Sequence, residues 1–423
     1  MRRTKIIMNT FTFNKFFILS LISIASTLIF TGCNSNSSTY HIDKSIIQNM
    51  AAPTNVDNIN ITDEMKSKSI TSIGDTSKLA DVMNRAAAGE DLTIAFLGGS
   101  ITAGSNAEPM ESSCFASLTT NWWTQTFPNA NFTYVNAGIG ATDSYLGVHR
   151  LYDDVLSHNP DLVILEFAVN DCKTINPETY ENIIRNILSY ESSPALITLM
   201  LTQKNLADYS AEHTEIANYY NLPIISYRDI YCEGLSEEVL SWESVGCEDG
   251  VHPINGGHEL IAYSITSFFC NVLQNINNTS YEEYILPKEP LTSERFNTAD
   301  IYYSDEIDAS YEESFTEQEI NDGLSNTNGW QTTEGGSIEY SIKAKSIGIL
   351  YLATNDNKSG QFDIYVDNQL ITTIDADYKD GWGNKISYAD LGNFEVEDTH
   401  EIKIILNSDS TNNDLYICGI THS

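Results

Sequence analysis

From about residue 75 to 275 the chain alternates strand-length apolar runs with segments of helical periodicity, a pattern that restricts it to a parallel sheet covered by helices. Strands are expected at Leu92 to Leu97, Phe132 to Val135, Leu162 to Phe167, Ala195 to Leu201 and Leu222 to Ile225. Leu79, Val82, Met83 and Ala86 recur at helical spacing, with Gly89 as a stop signal. Further helices are expected over Ser144 to Ser157, Pro177 to Tyr190 and Ser210 to Tyr220, and a last one over Gly256 to Leu273 closes the unit. The expected fold over 75–276 is a three-layer α/β/α sandwich with a parallel sheet.

Beyond residue 285 the texture changes. Ile338/Tyr340/Ile342, Phe362/Ile364/Val366 and Ile402/Ile404/Leu406 alternate with polar residues, and Asp367-Asn368 suits a hairpin turn. These features predict a separate antiparallel β-sandwich, jelly-roll-like, over 285–423. Two cores suit a chain of 423 residues. Trp330 and Trp382 lie near its turns, where flat rings either cap the sandwich or line a glycan site.

Residues 1–33 have a basic start, an apolar run from Phe16 to Phe30 and then Thr31-Gly32-Cys33. The run is long enough for a secretion signal and too short for a spanning helix. Small residues before a Cys resemble a bacterial lipobox, which implies lipidation of Cys33 and anchoring at the extracellular face of the membrane. Phe30 departs from that pattern, and plain secretion is the rival reading. Residues 34–74 are expected as a linker or N-terminal extension, because Asn34 to Thr39 is a polar Ser/Asn stretch.

The formal net charge is −36, and loss of the leading segment, with Arg2, Arg3, Lys5 and Lys15 but no acid, makes it more negative. Such a surface repels phosphate backbones and anionic headgroups, so nucleic acid is excluded as a partner and neutral substrates are favoured. Membrane association is expected only through the anchor. The cysteines show no CxxC or His-rich spacing, so no metal site is expected.

Four segments carry chemistry. Leu92 to Leu97 runs into Gly98-Gly99-Ser100-Ile101-Thr102-Ala103-Gly104, placing a Ser just past a strand end where open α/β sheets bind ligands. Alone, this is equally a Gly-rich turn with a capping Ser. Downstream, Asp249 and His252 stand three residues apart before the last helix, close enough for the carboxylate to fix the imidazole tautomer. Asn136-Ala137-Gly138-Ile139-Gly140-Ala141 and Ala168-Val169-Asn170-Asp171 follow strands and offer backbone N–H groups and an amide to an oxyanion.

In this order and spacing the four segments resemble the SGNH/GDSL hydrolases over residues 75 to 275. The resemblance implies a flavodoxin-like sheet and a serine esterase without metal or organic cofactor. Ser100 would be nucleophile, Asp249 and His252 acid and base, and Asn170, the Ser100 N–H and the Ala141 or Gly140 N–H the oxyanion donors. Gly99 stands where the family usually has Asp, and Ala168 where it usually has Gly. Ala141 aligns with the oxyanion Gly, and an ordinary φ/ψ would let it serve. Export, acidity and the trailing sandwich favour O-acetyl esters on extracellular carbohydrate. The alternatives are lipid or short-chain esters, or a non-catalytic glycan-binding lipoprotein. Trp122-Trp123 is expected in the core, and His149, His213 and His258 as structural histidines.

Overall fold

The computed structural model describes residues 42–278, 284–321, 326–379 and 381–423. The leading segment 1–33, with Cys33, lies outside them. Strands β1 (Ile70–Ser72), β2 (Leu92–Gly98), β3 (Phe132–Gly138), β4 (Leu162–Leu165), β5 (Ala195–Met200) and β6 (Ile224–Ser226) form one sheet in the order β1-β6-β5-β4-β2-β3. All neighbours are parallel except β1, which runs antiparallel to β6.

Every residue of β4 and β5 is buried, as continuous apolar runs between two helical layers require. The expected strand beginning at Phe132 is instead the half-exposed sheet edge, which accommodates Thr133 and Tyr134. Helices Ser77–Ala88, Phe115–Thr126 and Asn255–Asn275 cover one face with Leu79, Trp122, Trp123 and Phe269. Ser144–His149, Asn176–Leu188 and Ser210–Tyr219 cover the other with Tyr145, Ile183 and Ile216.

Two sequence expectations need correction. The helix expected over Ser144 to Ser157 breaks into Ser144–His149, Leu151–Asp154 and a 3₁₀ turn, Leu156–His158. The break falls at Arg150, which sits at φ −100°, ψ 0° and turns its guanidinium into the protein. The expected linker 34–74 is, over 42–74, part of the first core. It holds the helices Lys44–Asn49 and Asp63–Lys68, and Ile42, Val56, Ile59 and Met65 pack in the same cluster as Trp122. Isolated apolar residues among polar ones concealed this role.

Among the described residues the C-terminal region holds nine strands: β7 (Asp300–Tyr302), β8 (Tyr311–Glu313), β9 (Thr316–Asn321), β10 (Asn326–Thr332), β11 (Ser337–Ala353), β12 (Gln361–Val366), β13 (Gln369–Asp375), β14 (Lys385–Leu406) and β15 (Leu415–His422). All pairings are antiparallel. The long strands β11 and β14 shift register near Ser346, where β11 exchanges β8 for β15 as its second neighbour. The sheet thereby folds into two layers around Ile338, Tyr340, Ile349, Phe362, Ile404 and Trp330. Asp367 and Asn368, at φ +50° and +64°, turn β12 into β13.

This sandwich shares a core with the first unit. Leu350, Leu352 and Cys418 on its outer face, with Phe296 of the connection, pack in one cluster with Tyr145, Val148 and Ile183. Arg295 of the connection bridges the junction, lying 3.9 Å from Glu178 of the hydrolase unit and holding Ser346 Oγ, at 2.8 Å, and Asp390 of the sandwich. The separation expected from sequence holds for the interior of the sandwich and not for its outer face.

Candidate active site

β2 ends at Gly98, and Ser100 opens a single helical turn, Ser100–Ala103. As the first residue of that turn its N–H has no intrahelical acceptor and is available to a ligand. Far along the chain, Cys247 N donates to His252 O at 2.9 Å, and Gly250, at φ +75°, reverses the backbone between them. The resulting loop brings Asp249 to His252. Asp249 Oδ1 accepts from the N–H groups of Val251, at 2.7 Å, and His252, at 3.0 Å, while Oδ2 lies 2.6 Å from His252 Nδ1. His252 Nε2 lies 2.8 Å from Ser100 Oγ. With Nδ1–H donating to the carboxylate, Nε2 is the acceptor for the serine proton.

Burial pulls the Asp249 carboxyl upward. The Cys247 thiol, the His252 imidazole and the two N–H groups outweigh it and hold the carboxyl well below the usual carboxylate range. Among the described residues, Cys247, Asp249 and His252 are the one group of three close enough to share a metal ion. Two of them already form the Asp–His pair, and the thiol serves as a donor to Asp249.

Asn170 sits in a tight turn after β4, with its N–H and that of Asp171 both donating to Phe167 O at 3.0 and 2.9 Å. Its side chain lies against Gly99, where an added Cβ would stand 2.3 Å from Asn170 Oδ1 and 3.5 Å from Nδ2. The Asp expected at 99 from the family pattern is thus replaced by a Gly that admits Asn170. The loop after β3 is tied to the nucleophile turn by Ile139 N donating to Gly98 O at 3.1 Å. Here the sequence expectation is corrected: Ala141 is in the left-handed region at φ +58°, while Gly140 is not. The family's glycine at the aligned position suits that conformation, which alanine occupies at a cost.

The other singled-out residues are placed as the core reading expected. Trp122 and Trp123 pack with Phe127 and Phe269. His149 Nδ1 donates to Tyr145 O at 2.7 Å, and burial pushes its pKa down to about 3. His258 bridges Phe115 N, at 3.3 Å, and Ser105 O, at 3.0 Å, with its pKa pushed by burial to about 4. Trp330 is fully buried inside the sandwich, which removes it from any glycan site, whereas Trp382 is exposed.

Three buried polar residues around the site escaped the sequence reading. Arg150 donates to Ala137 O at 2.7 Å, Gly98 O at 3.0 Å and Asp154 at 2.8 Å, pinning the ends of β3 and β2 together. Asp171 accepts from Ser144 N at 2.8 Å and pairs with His213 Nε2 at 2.9 Å, linking the Asn170 turn to the helix after Ala141. Glu166, 1% exposed, accepts from Thr102 Oγ1 of the turn that Ser100 opens, at 3.2 Å. A charge interrupting the apolar run Leu162 to Phe167 was its one visible signal.

Comparison with known proteins accords with this geometry. Residues 96–260 match the model of the GDSL-like lipase/acylhydrolase family. A two-domain esterase active on acetylated mannans, crystallised with mannopentaose, is 30% identical, and the superposition covers 85% of this chain and 97% of that one at a TM-score of 0.73. The chain belongs to the GDSL-like lipase/acylhydrolase family. It is a serine carboxylic ester hydrolase with a hydrolase unit followed by an antiparallel β domain. A second crystal structure of a two-domain esterase active on acetylated mannans, 31% identical over 85% of this chain and 98% of that one, also gives a TM-score of 0.73. Thioesterase 1/protease 1/lysophospholipase L1 of Escherichia coli K12 is 27% identical over 187 residues, 42% of this chain and 82% of the relative.

Proposed function

We propose that this esterase removes O-acetyl groups from extracellular carbohydrate, with Ser100 as nucleophile. The observation that carries the assignment is the chain of contacts from Asp249 through His252 to Ser100 Oγ, at 2.6 and 2.8 Å. His252 Nε2 takes the hydroxyl proton as Oγ attacks the acetyl carbonyl, and returns it to the departing sugar oxygen. Water then adds to the acetyl-enzyme, giving a proton to His252, and acetate leaves as His252 passes that proton to Ser100 Oγ. Asn170, the Ser100 N–H and the N–H of Ala141 or Gly140 are the donors for the developing oxyanion.

The substrate class is supported by the similarity to an esterase active on acetylated mannans, which extends across both the hydrolase unit and the sandwich. The E. coli relative favours a second reading, a thioester or lysophospholipid hydrolase. Turnover of acetylated mannan and of acetyl, butyryl and octanoyl p-nitrophenyl esters tests both. The carbohydrate reading expects acetate release from mannan and a steep fall with acyl length; faster octanoyl cleavage and inert mannan would overturn it.

Within the same proposal, the sequence of residues 1–33 supports cleavage before Cys33 and lipid anchoring of the mature enzyme. Mass spectrometry of the mature N-terminus checks it, and an unmodified start elsewhere refutes the anchor. Among the described residues no helix is long and apolar enough to cross a membrane.

A further inference from the structure

Glu166 has no part in the proton transfers above, yet it is the buried carboxyl nearest the nucleophile turn. It follows β4 directly, and its own N–H donates to Leu97 O at 2.9 Å. Thr102 Oγ1, in the turn opened by Ser100, donates to Glu166 Oε2 at 3.2 Å. The N–H groups of Gly99 and Val169 also favour its charged form. Gly99 precedes the proposed nucleophile and Val169 precedes the proposed oxyanion donor. A Cβ on Gly98 would stand 2.6 Å from Glu166 O, so the backbones of the two segments are also in close approach.

Burying a carboxyl is expensive, and a strand end facing the interior would be filled at lower cost by an apolar side chain. The Thr102 hydroxyl is what an apolar side chain would leave without a partner here.

We propose that Glu166 is a positioning residue for acyl transfer, whose carboxyl holds the turn carrying Ser100 in register with the turn carrying Asn170. The inference rests on the assignment of those two residues as nucleophile and oxyanion donor. The carboxyl is 1% exposed and reaches Thr102 rather than Ser100 Oγ, so it acts through the two turns. Burial pushes its pKa up to about 7, against the pull of Thr102 and the two N–H groups and with a further upward push from Asp171. Asp171 is itself paired with His213, and Tyr180, stacked on His213, feels the Glu166 charge.

The test is Glu166→Gln, which keeps the shape and removes the charge, assayed on p-nitrophenyl acetate alone and combined with Asn170→Ala. A misplacement of reacting groups by a fraction of an ångström to an ångström predicts a kcat about 10- to 100-fold lower, with KM and melting temperature nearly unchanged. Where Asn170 is already absent, less alignment is left to lose, so the same substitution should cost about threefold or less. A folded Glu166→Gln enzyme with wild-type kcat overturns the proposal, as does an equal loss in both backgrounds. Should Glu166→Gln not fold, Thr102→Val decides: a several-fold fall in kcat supports the role, and unchanged kcat overturns it. Ser100→Ala run alongside separates the premises, because activity surviving that change rejects the site assignment itself whatever Glu166→Gln does.

Discussion

The phenol of Tyr388, on β14 of the sandwich, donates to Asp143 Oδ2 at 3.0 Å, two residues beyond Ala141 in the hydrolase unit. Asp143 also caps the helix Ser144–His149 and pairs with Lys173 at 3.5 Å. The Tyr388 ring stacks on Tyr145 at 3.9 Å, and Lys173 Nζ lies 3.4 Å from its centroid. Tyr145 in turn reaches Thr421 Oγ1 of β15 at 2.8 Å. The accessory domain thus buttresses the loop proposed to supply an oxyanion donor.

Tyr388→Phe should therefore lower turnover of even a small acetyl ester, while costing about 1 kcal/mol of stability, since one hydrogen bond is lost and the stacking kept. Truncation near residue 280 should do worse: it strips cover from Tyr145, Val148 and Ile183 and should yield an aggregating or inactive hydrolase unit. Expression of both forms and assay on p-nitrophenyl acetate checks this. A soluble, fully active truncation product would show that the shared core is dispensable.

Ser100→Ala should remove activity by about a millionfold with the fold intact, whereas Asn170→Ala should cost about 100- to 1000-fold. The ranking distinguishes covalent chemistry from the loss of one donor. Initial rates with circular dichroism as the folding control measure both, and a Ser100→Ala enzyme at a tenth of wild-type turnover would refute the nucleophile.

Acid should destabilise the protein through His149 and His258. Their folded pKa values, about 3 and about 4, lie below the ordinary 6.5, so the unfolded chain binds more protons and stability falls as pH drops below 6.5. Glu166 works in the opposite sense. Raised from 4.5 to about 7, it makes the folded state the greater proton binder between those values, so its contribution weakens as pH rises. The His258 shift alone corresponds to about 3 kcal/mol. Urea unfolding at pH 7.5 and 4.5 should show His258→Gln losing less stability than wild type over that interval. Parallel losses would place the acid sensitivity elsewhere.

What the sequence disclosed follows a physical division. Ser100, Asn170, Asp249 and His252 were legible because each sits in a short segment whose glycines, strand end or three-residue spacing reflects a local turn, and local turns are written in neighbouring residues. Arg150, Glu166 and Tyr388 were not, since their partners lie 13 to 245 positions away: Ala137 O for Arg150, Thr102 for Glu166 and Asp143 for Tyr388. The N-terminal stretch 42–74 was missed for a related reason. Ile42, Val56, Ile59 and Met65 are too widely spaced to give a period, yet all four join the first core.

Ala141→Gly should stabilise the protein by about 1 kcal/mol and preserve activity, because alanine at φ +58° carries a strain that glycine does not. Thermal melting and p-nitrophenyl acetate turnover measure the two effects. A lower melting temperature would mean that the alanine methyl contributes packing worth more than the strain it brings.

Gly99→Ala tests the departure from the family pattern at the point where it matters most. The added Cβ would stand 2.3 Å from Asn170 Oδ1, far inside the closest approach that a Cβ makes to a non-bonded heavy atom. Backbone conformation does not object, since Gly99 lies at φ −91°, ψ −150°, in the extended region open to any residue. The Asn170 side chain must then give way, because its terminal amide moves more easily than the strand end. If Asn170 is an oxyanion donor, its displacement should lower kcat by up to the 100- to 1000-fold expected for removing such a donor, and leave KM for a small ester little changed. The melting temperature should stay close to wild type, since the adjustment is confined to one partly exposed side chain. Combining Gly99→Ala with Asn170→Ala separates the outcomes: if the collision is the whole effect, the double variant is no slower than Asn170→Ala. A Gly99→Ala enzyme with wild-type kcat would mean that Asn170 can withdraw at no catalytic cost, and would count directly against its role in holding the oxyanion.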